Sequence, residues 1–383
     1  MAMKNVVLGL LAAAAIAVGM SSVRVHAQAA TPFKLGTFDR QGKAFVGVVI
    51  RDNVVIDLAA AHAAVQPAST LPAPVDMKDV INRYDTGLRA RIQDVVRSVN
   101  AAGASRPAYV YDLAALKVLP PIMYPGTMLN VAVNYREHDI EMAAVRPGSA
   151  PAAPGAAAPT PTAGGALPGT RSAPGYWERK DDDTRWNPYM FMKAPTAVIA
   201  NGENIRLPPG RVQVDWECEM GVVVGRQRSR VPLAQAADAI FGYTIENDVS
   251  DRGGRGDTRY GSDWVVSKNH DTFAPMGPFI TPKEFIPDPR KMAIAVDLNG
   301  QRIQDGNTSL MIHDVFEQIV YASNIMTLRV GDVIATGTPA GVGSARTPPV
   351  YLKGGDRITC TYEGLGTLSN PVISQDVAAQ RAR

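Results

Sequence analysis

Cysteine is nearly absent from this chain of 383 residues, which holds only Cys218 and Cys360. They form no C-x-x-C pair and are too few for a disulfide framework or a thiolate zinc site. Each is expected to be a small buried hydrophobe. A surplus of either charge is also missing, since 39 Lys and Arg stand against 36 Asp and Glu, for a formal net charge of +3. With no basic stripe and no heptad repeat, a nucleic-acid partner is not expected. The N-terminal apolar run, residues 6–20, falls short of the roughly 20 residues that cross a bilayer. No internal repeat is visible, and no glycine loop ends in Gly-Lys-Ser or Gly-Lys-Thr, which excludes a phosphate loop of that type.

The same apolar run follows Lys4 and ends in small residues around the Val25-His26-Ala27 step. That three-part layout is the layout of a secretory signal, so residues 1–27 are expected to be cleaved. No Cys follows the cut to mark it for lipidation. The mature protein is expected to be periplasmic or secreted and off the membrane, with a net charge of +1 once Lys4 and Arg24 are gone. At 46% hydrophobic residues, the remainder can bury a full core.

Residues 34–39, 44–50 and 54–57 are short apolar runs separated by turn residues such as Arg51-Asp52-Asn53, and they read as an antiparallel meander. Val80, Ile81, Leu88, Ile92 and Val95 lie at near-helical spacing and predict one helix over 76–100, capped by Asp76. Pro120-Pro121 punctuates the end of this small N-terminal domain, residues 28–118, and a catalytic domain is expected over 119–375. Within it, residues 147–174 collapse to Ala, Pro, Gly, Ser and Thr, with almost no charge and no large apolar residue. That composition cannot bury enough surface to order itself and reads as a flexible insertion. Strand-like runs at 196–200, 217–224, 293–298, 333–336 and 357–362 outweigh the helical candidates at 232–240 and 313–323, and Asn299-Gly300 signals a hairpin. The fold class is α+β and sheet-rich, without alternating β-α repeats.

On a strand, Glu217 and Glu219 point to one face together with Asp215, while Cys218 points the other way. A Glu-x-Glu alone is read as a solvated edge strand. Here Glu246-Asn247-Asp248 supplies a further acid at the end of another strand, and acids buried together call for a cation. Oxygen ligands of this kind suit Mg²⁺ or Mn²⁺, with Ca²⁺ as the other candidate. In a helix, His138 and Glu141 share a face, so the carboxylate can orient the imidazole as a general base for water. The plainer reading of that spacing is a surface pair. Lys268, close to several acids, would stay protonated and stabilise an enolate or oxyanion. The turn Gly337-Thr338-Pro339-Ala340-Gly341 can present backbone N–H groups and the Thr338 hydroxyl to an anion.

Taken in order, Asn134-Tyr135 with His138 and Glu141, Phe191-Met192-Lys193-Ala194-Pro195, Asp215-Trp216-Glu217-Cys218-Glu219, Asn247-Asp248-Val249-Ser250, Lys268 with Asp271-Thr272-Phe273, and Gly331-Asp332 through Gly343 resemble the fumarylacetoacetate hydrolase family. The resemblance implies a mixed β-roll catalytic domain behind a small N-terminal domain, usually as a homodimer. It implies Mg²⁺ or Mn²⁺ at Glu217, Glu219 and Asp248, a water-activating dyad of His138 and Glu141, and Lys268 as charge stabiliser. Tyr135, Arg252, Arg255, Gly337 and Thr338 become the substrate contacts. Where many members carry an Arg followed three residues later by Gln, this chain has Arg252 followed by Arg255 in place of the Gln, and the extra charge of Arg255 favours a dicarboxylate or faces solvent. The insertion falls where the family has a mobile lid.

The activity this implies is that of a metal-dependent hydrolase or lyase acting on C–C bonds of small oxo acids such as acylpyruvates or fumarylacetoacetate. An isomerase or hydratase of unsaturated 2-hydroxy or 2-oxo dicarboxylates, similar to the 5-carboxymethyl-2-hydroxymuconate isomerases, needs the same metal and the same enolate stabilisation. An exported binding protein without turnover is the third reading. The joint presence of His138, Glu141 and Lys268 argues against it, because binding alone needs no base.

Overall fold

The computed structural model describes residues 30–103, 105–145, 183, 185–253 and 263–375. The expected leader, the 147–174 insertion and Arg255 lie outside them. The meander forms where the apolar runs stand, as strands Lys34–Arg40, Lys43–Ile50 and Val54–Asp57 paired antiparallel. Leu35 pairs with Ile280 and so joins the meander to the strand Ala274–Pro282. From there the same sheet continues through Ile240–Asn247, Cys218–Val224, Val333–Ala335 and Met128–Ala132 to the strand Tyr189–Lys193. A second sheet of five strands runs Gln301–Asn307, Ala293–Leu298, Arg357–Tyr362, Gly366–Ser374, Ile205–Leu207. Both sheets contain parallel as well as antiparallel pairs, and the architecture is the sheet-rich α+β class expected.

Asn299 and Gly300 close the hairpin of the second sheet with φ of 55° and 82°, the left-handed pair that a two-residue turn of this type requires. The single helix expected over 76–100 is instead two, Met77–Arg83 and Leu88–Ala101. Apolar spacing runs through the break, but Gly87 between them adopts φ 116°, a conformation open to glycine and incompatible with a continuing helix. Asp76 caps the first of the two by accepting from the Asp79 N–H. Of the other helical candidates, 313–323 becomes Val315–Ile325 with Asp314 and Glu317 forming a capping box, whereas 232–240 shrinks to a turn and the short helix Ala236–Ala239. No described helix is long and apolar enough to cross a membrane.

The strand Cys218–Val224 is buried on both faces. Cys218, Met220, Val222 and Val224 pack with Ile294, Val296, Ile358 and Tyr362 of the second sheet, while Val223 packs the other way with Val80, Ile92 and Val96. Each aliphatic side chain so enclosed contributes about 1.5–3 kcal/mol. The expectation of two independent thiols is corrected here. Cys218 and Cys360 are buried as expected but joined in a disulfide, with Cα atoms 5.8 Å apart and a sequence separation of 142. Facing sheets bring them together, a proximity that sequence spacing does not encode. Closing so long a loop stabilises the fold by about 5 kcal/mol in the chain-entropy picture.

Candidate active site

Cys218 and Asn247 are paired across antiparallel strands, so Glu217 and Asp248 emerge side by side at the same end of the central sheet. The Asp248 N–H donates to the Glu217 carbonyl at 2.8 Å, and the Glu217 N–H donates to Asn247 Oδ1 at 3.1 Å. Glu219 sits one pleat further in, opposite Glu246. All three of Glu217, Glu219 and Asp248 are buried, and their carboxylate oxygens lie within 4.8 Å of one another.

Cationic side chains surround two of these acids. Lys268, at the end of the helix Trp264–Lys268, reaches both Glu217 Oε2 and Asp248 Oδ2 at 2.5 Å. Lys193 holds the other oxygen of Asp248 at 2.5 Å, and Arg252 holds the other oxygen of Glu217 at 2.5 Å. Burial alone would push the Glu217 carboxyl up, but the charges of Arg252 and Lys268 outweigh it and hold the group well below the usual range. Burial likewise works against the Lys268 ammonium, and Asp248 and Glu217 reverse that, raising it above an ordinary lysine.

Glu219 is different. Its bond is to the Gly337 N–H at 2.8 Å, and no cationic side chain among the described residues touches it. Burial and the neighbouring Asp248, Glu246 and Glu217 carboxylates drive its proton affinity well above the usual range. Glu246, which accepts from Asn130 at 3.1 Å, is pushed up to about 8 by burial and by Asp248. Three converging carboxylates with an oxygen-only donor set, one of them lacking a cation, fit a hard divalent ion. Such an ion would offset the repulsion that Lys268 relieves for only two of the three.

The expected helix forms as Arg136–Val145, and in it His138 is buried while Glu141 is partly exposed. Glu141 Oε1 lies 2.7 Å from His138 Nδ1. The same carboxylate accepts the Gly341 N–H at 2.9 and 3.1 Å, which docks the helix on the glycine-rich turn. With Nδ1–H donating to Glu141, Nε2 is left as the free base, and it faces Glu217 Oε1 at 3.8 Å. The turn owes its path to two glycines. Gly337 has φ 91°, and a Cβ there would meet the Asn134 Cβ at 2.7 Å; Gly341 has φ 107°, and a Cβ would meet the Ile303 carbonyl at 2.6 Å.

The structure thus gathers His138, Glu141, Glu217, Glu219, Asp248, Lys268, Arg252 and Gly337 at one place, though not all in the roles expected. The Gly337 N–H is taken by Glu219, so this residue orients a carboxylate. Arg252, expected to contact substrate, has a side chain only 8% exposed, with its guanidinium on Glu217 and on Asp215. Asp215 in turn accepts from the Gly343 and Ser344 N–H groups at 2.7 and 3.0 Å. Thr338 is buried, its hydroxyl accepting from Gln304 at 3.1 Å. Tyr135 is fully buried, and its hydroxyl has no partner among the described residues. Lys193, Glu246 and Asn130 have no role assigned from sequence. Lys193 closes the apolar run of its strand and Glu246 interrupts another, which are the signals a sequence reading has for them.

A mixed β-roll with a buried carboxylate triad, a lysine and a His-Glu pair is the layout of an enzyme with an oxygen-ligand centre. Residues 127–373 match the fumarylacetoacetate (FAA) hydrolase C-terminal model, and the chain belongs to the fumarylacetoacetate hydrolase family. It is 30% identical over 341 residues to the oxaloacetate tautomerase YisK of Bacillus subtilis, covering 88% of this chain and 99% of the relative. Among solved structures it is similar to the 5-carboxymethyl-2-hydroxymuconate delta-isomerase of Mycobacterium smegmatis, with TM-score 0.58, 28% identity, and 90% and 99% of the two chains covered. It is also similar to a Sphingobium maleylpyruvate hydrolase in complex with manganese(II) and pyruvate, with TM-score 0.61, 26% identity, and 90% and 100% covered.

Proposed function

We propose that this protein catalyses keto–enol interconversion of a small 2-oxo dicarboxylic acid of the oxaloacetate type, with a divalent cation held by Glu217, Glu219 and Asp248. The observation that carries the reading is the orientation of His138, whose free Nε2 faces the carboxylate centre while Glu141 fixes Nδ1. The similarity to an oxaloacetate tautomerase over nearly its whole length supports the substrate class.

The cation, when bound, supplies Lewis-acid polarisation of the 2-oxo group. His138 Nε2 takes a proton from the carbon next to that group and can return it to the oxygen, and Glu141 keeps the ring in the tautomer that allows this. The Lys268 ammonium stabilises negative charge developing on the oxo oxygen. The rings of Phe191 and Trp264, centred 4.9 and 5.9 Å from Lys268 Nζ, cover the lysine and keep bulk water from it. Export and a homodimeric state, as expected from the sequence, belong to the same proposal.

Hydrolysis of an acylpyruvate is the second reading, favoured by the rigid docking of Glu141 on Gly341, which would let the same base act on water. Absorbance of enol-oxaloacetate and of an acylpyruvate, each with Mg²⁺ and with EDTA, separates the two. Mg²⁺-dependent loss of enol absorbance with the acylpyruvate left intact is the expected result. Cleavage of the acylpyruvate without tautomerisation would replace the first reading with the second, and inertness towards both would remove the two together.

A further inference from the structure

Cys218 is flanked by two of the three candidate ligands, Glu217 and Glu219. Its side chain points away from them, into the core shared with the second sheet, where it is bonded to Cys360. Tyr362 lies two residues beyond Cys360 on the strand Arg357–Tyr362 and so on the same face. Its hydroxyl donates to the Cys218 carbonyl at 3.1 Å. One strand of the second sheet therefore grips Cys218 twice, through a covalent bond and through a hydrogen bond.

That grip has a load to resist on the other face. Three carboxylates crowd within 4.8 Å of one another, and Glu219 has no cationic side chain on it among the described residues. Glu217 precedes the first residue of the strand Cys218–Val224, so the regular strand pairing begins one residue beyond it. We propose that the Cys218–Cys360 disulfide is a positioning element of the metal centre, holding the Glu217–Glu219 segment against the second sheet so that its carboxylates keep the spacing a divalent cation needs. The inference rests on the proposed cation site at Glu217, Glu219 and Asp248. Reduction by a dithiol transfers two electrons and two protons to the pair, leaving two protein thiols and an oxidised reductant. Two thiols need van der Waals separation in place of a bond, and a close-packed interior has no slack to absorb it. Cys218 shifts, and its two neighbours shift with it. A structural disulfide persists in an oxidising compartment, the setting to which the expected leader would direct the chain.

The test is Mn²⁺ affinity of the full chain by electron paramagnetic resonance. It compares the oxidised wild type, the wild type reduced with dithiothreitol, and a Cys218→Ala/Cys360→Ala variant, at a temperature where circular dichroism shows each form folded. Affinity about tenfold weaker in the reduced and substituted forms, and regained when the reduced wild type is reoxidised, is the expected result. Should the double variant fail to fold, the reduced wild type supplies the comparison. A lowered melting temperature with unchanged Mn²⁺ affinity would make the disulfide a staple and nothing more, overturning the inference. Free thiols in the air-oxidised chain, read by alkylation and mass spectrometry, would overturn it as well. An oxidised wild type that binds no Mn²⁺ would overturn the metal centre itself, and this inference with it.

Discussion

His138→Ala is expected to turn over its 2-oxo acid about a hundred- to ten-thousandfold more slowly than the wild type while binding Mg²⁺ with the same affinity. The split follows from where the imidazole sits. Its Nε2 is 3.8 Å from Glu217 Oε1, and it is not one of the three converging carboxylates, so its removal takes no ligand from the cation. What it removes is the base. Glu141→Gln should give a smaller loss of kcat, because the amide oxygen still accepts from Nδ1–H and keeps the ring in place, though as a weaker acceptor than a carboxylate. The check is kcat against calorimetric Mg²⁺ affinity in both variants. A His138→Ala rate within a few-fold of the wild type would place the base on another residue.

Lys268→Met is expected to cost about 3 kcal/mol of stability in EDTA, and less when Mg²⁺ is present. The ammonium bridges Glu217 and Asp248 with two bonds of 2.5 Å, in a site where lysine and acids are all buried. Removing one partner of a buried ion pair leaves an uncompensated charge, at about 3–5 kcal/mol. The lower end applies here, because Lys193 retains its bond to Asp248 and Arg252 its bond to Glu217. A divalent cation on the same carboxylates would take over part of the neutralisation, so Mg²⁺ should stabilise the variant more than it stabilises the wild type. Urea unfolding with and without the ion measures both quantities. Equal stabilisation of variant and wild type by Mg²⁺ would mean that lysine and cation do not share these carboxylates.

The candidate site was legible in the sequence wherever its residues obey a local period. Glu217 and Glu219 fall on one side of a strand by the period of two, and His138 and Glu141 on one side of a helix by spacing alone. Asp248 could be placed because a strand visibly ends before it. The illegible part depends on apposition between distant segments. Lys193 meets Asp248 across 55 residues, Asn130 meets Glu246 across 116, and Cys218 meets Cys360 across 142. Arg252 reads as a substrate contact by resemblance, but the inward turn of its guanidinium to Asp215 and Glu217 depends on the sheet ends meeting. In the fold, the meander and the Asn299-Gly300 hairpin followed their turn residues. Residues 76–100 read as one helix from sequence because their apolar spacing survives a break that Gly87 imposes.

In the function proposed, a cation at Glu217, Glu219 and Asp248 and the base His138 together enolise a 2-oxo acid. This is tested most directly by proton nuclear magnetic resonance of a 2-oxo dicarboxylate in heavy water, following exchange at the carbon next to the oxo group. Exchange well above the buffer rate with Mg²⁺, returning to the buffer rate in EDTA, is the expected result. Exchange at the buffer rate with Mg²⁺ bound at the three carboxylates would contradict it.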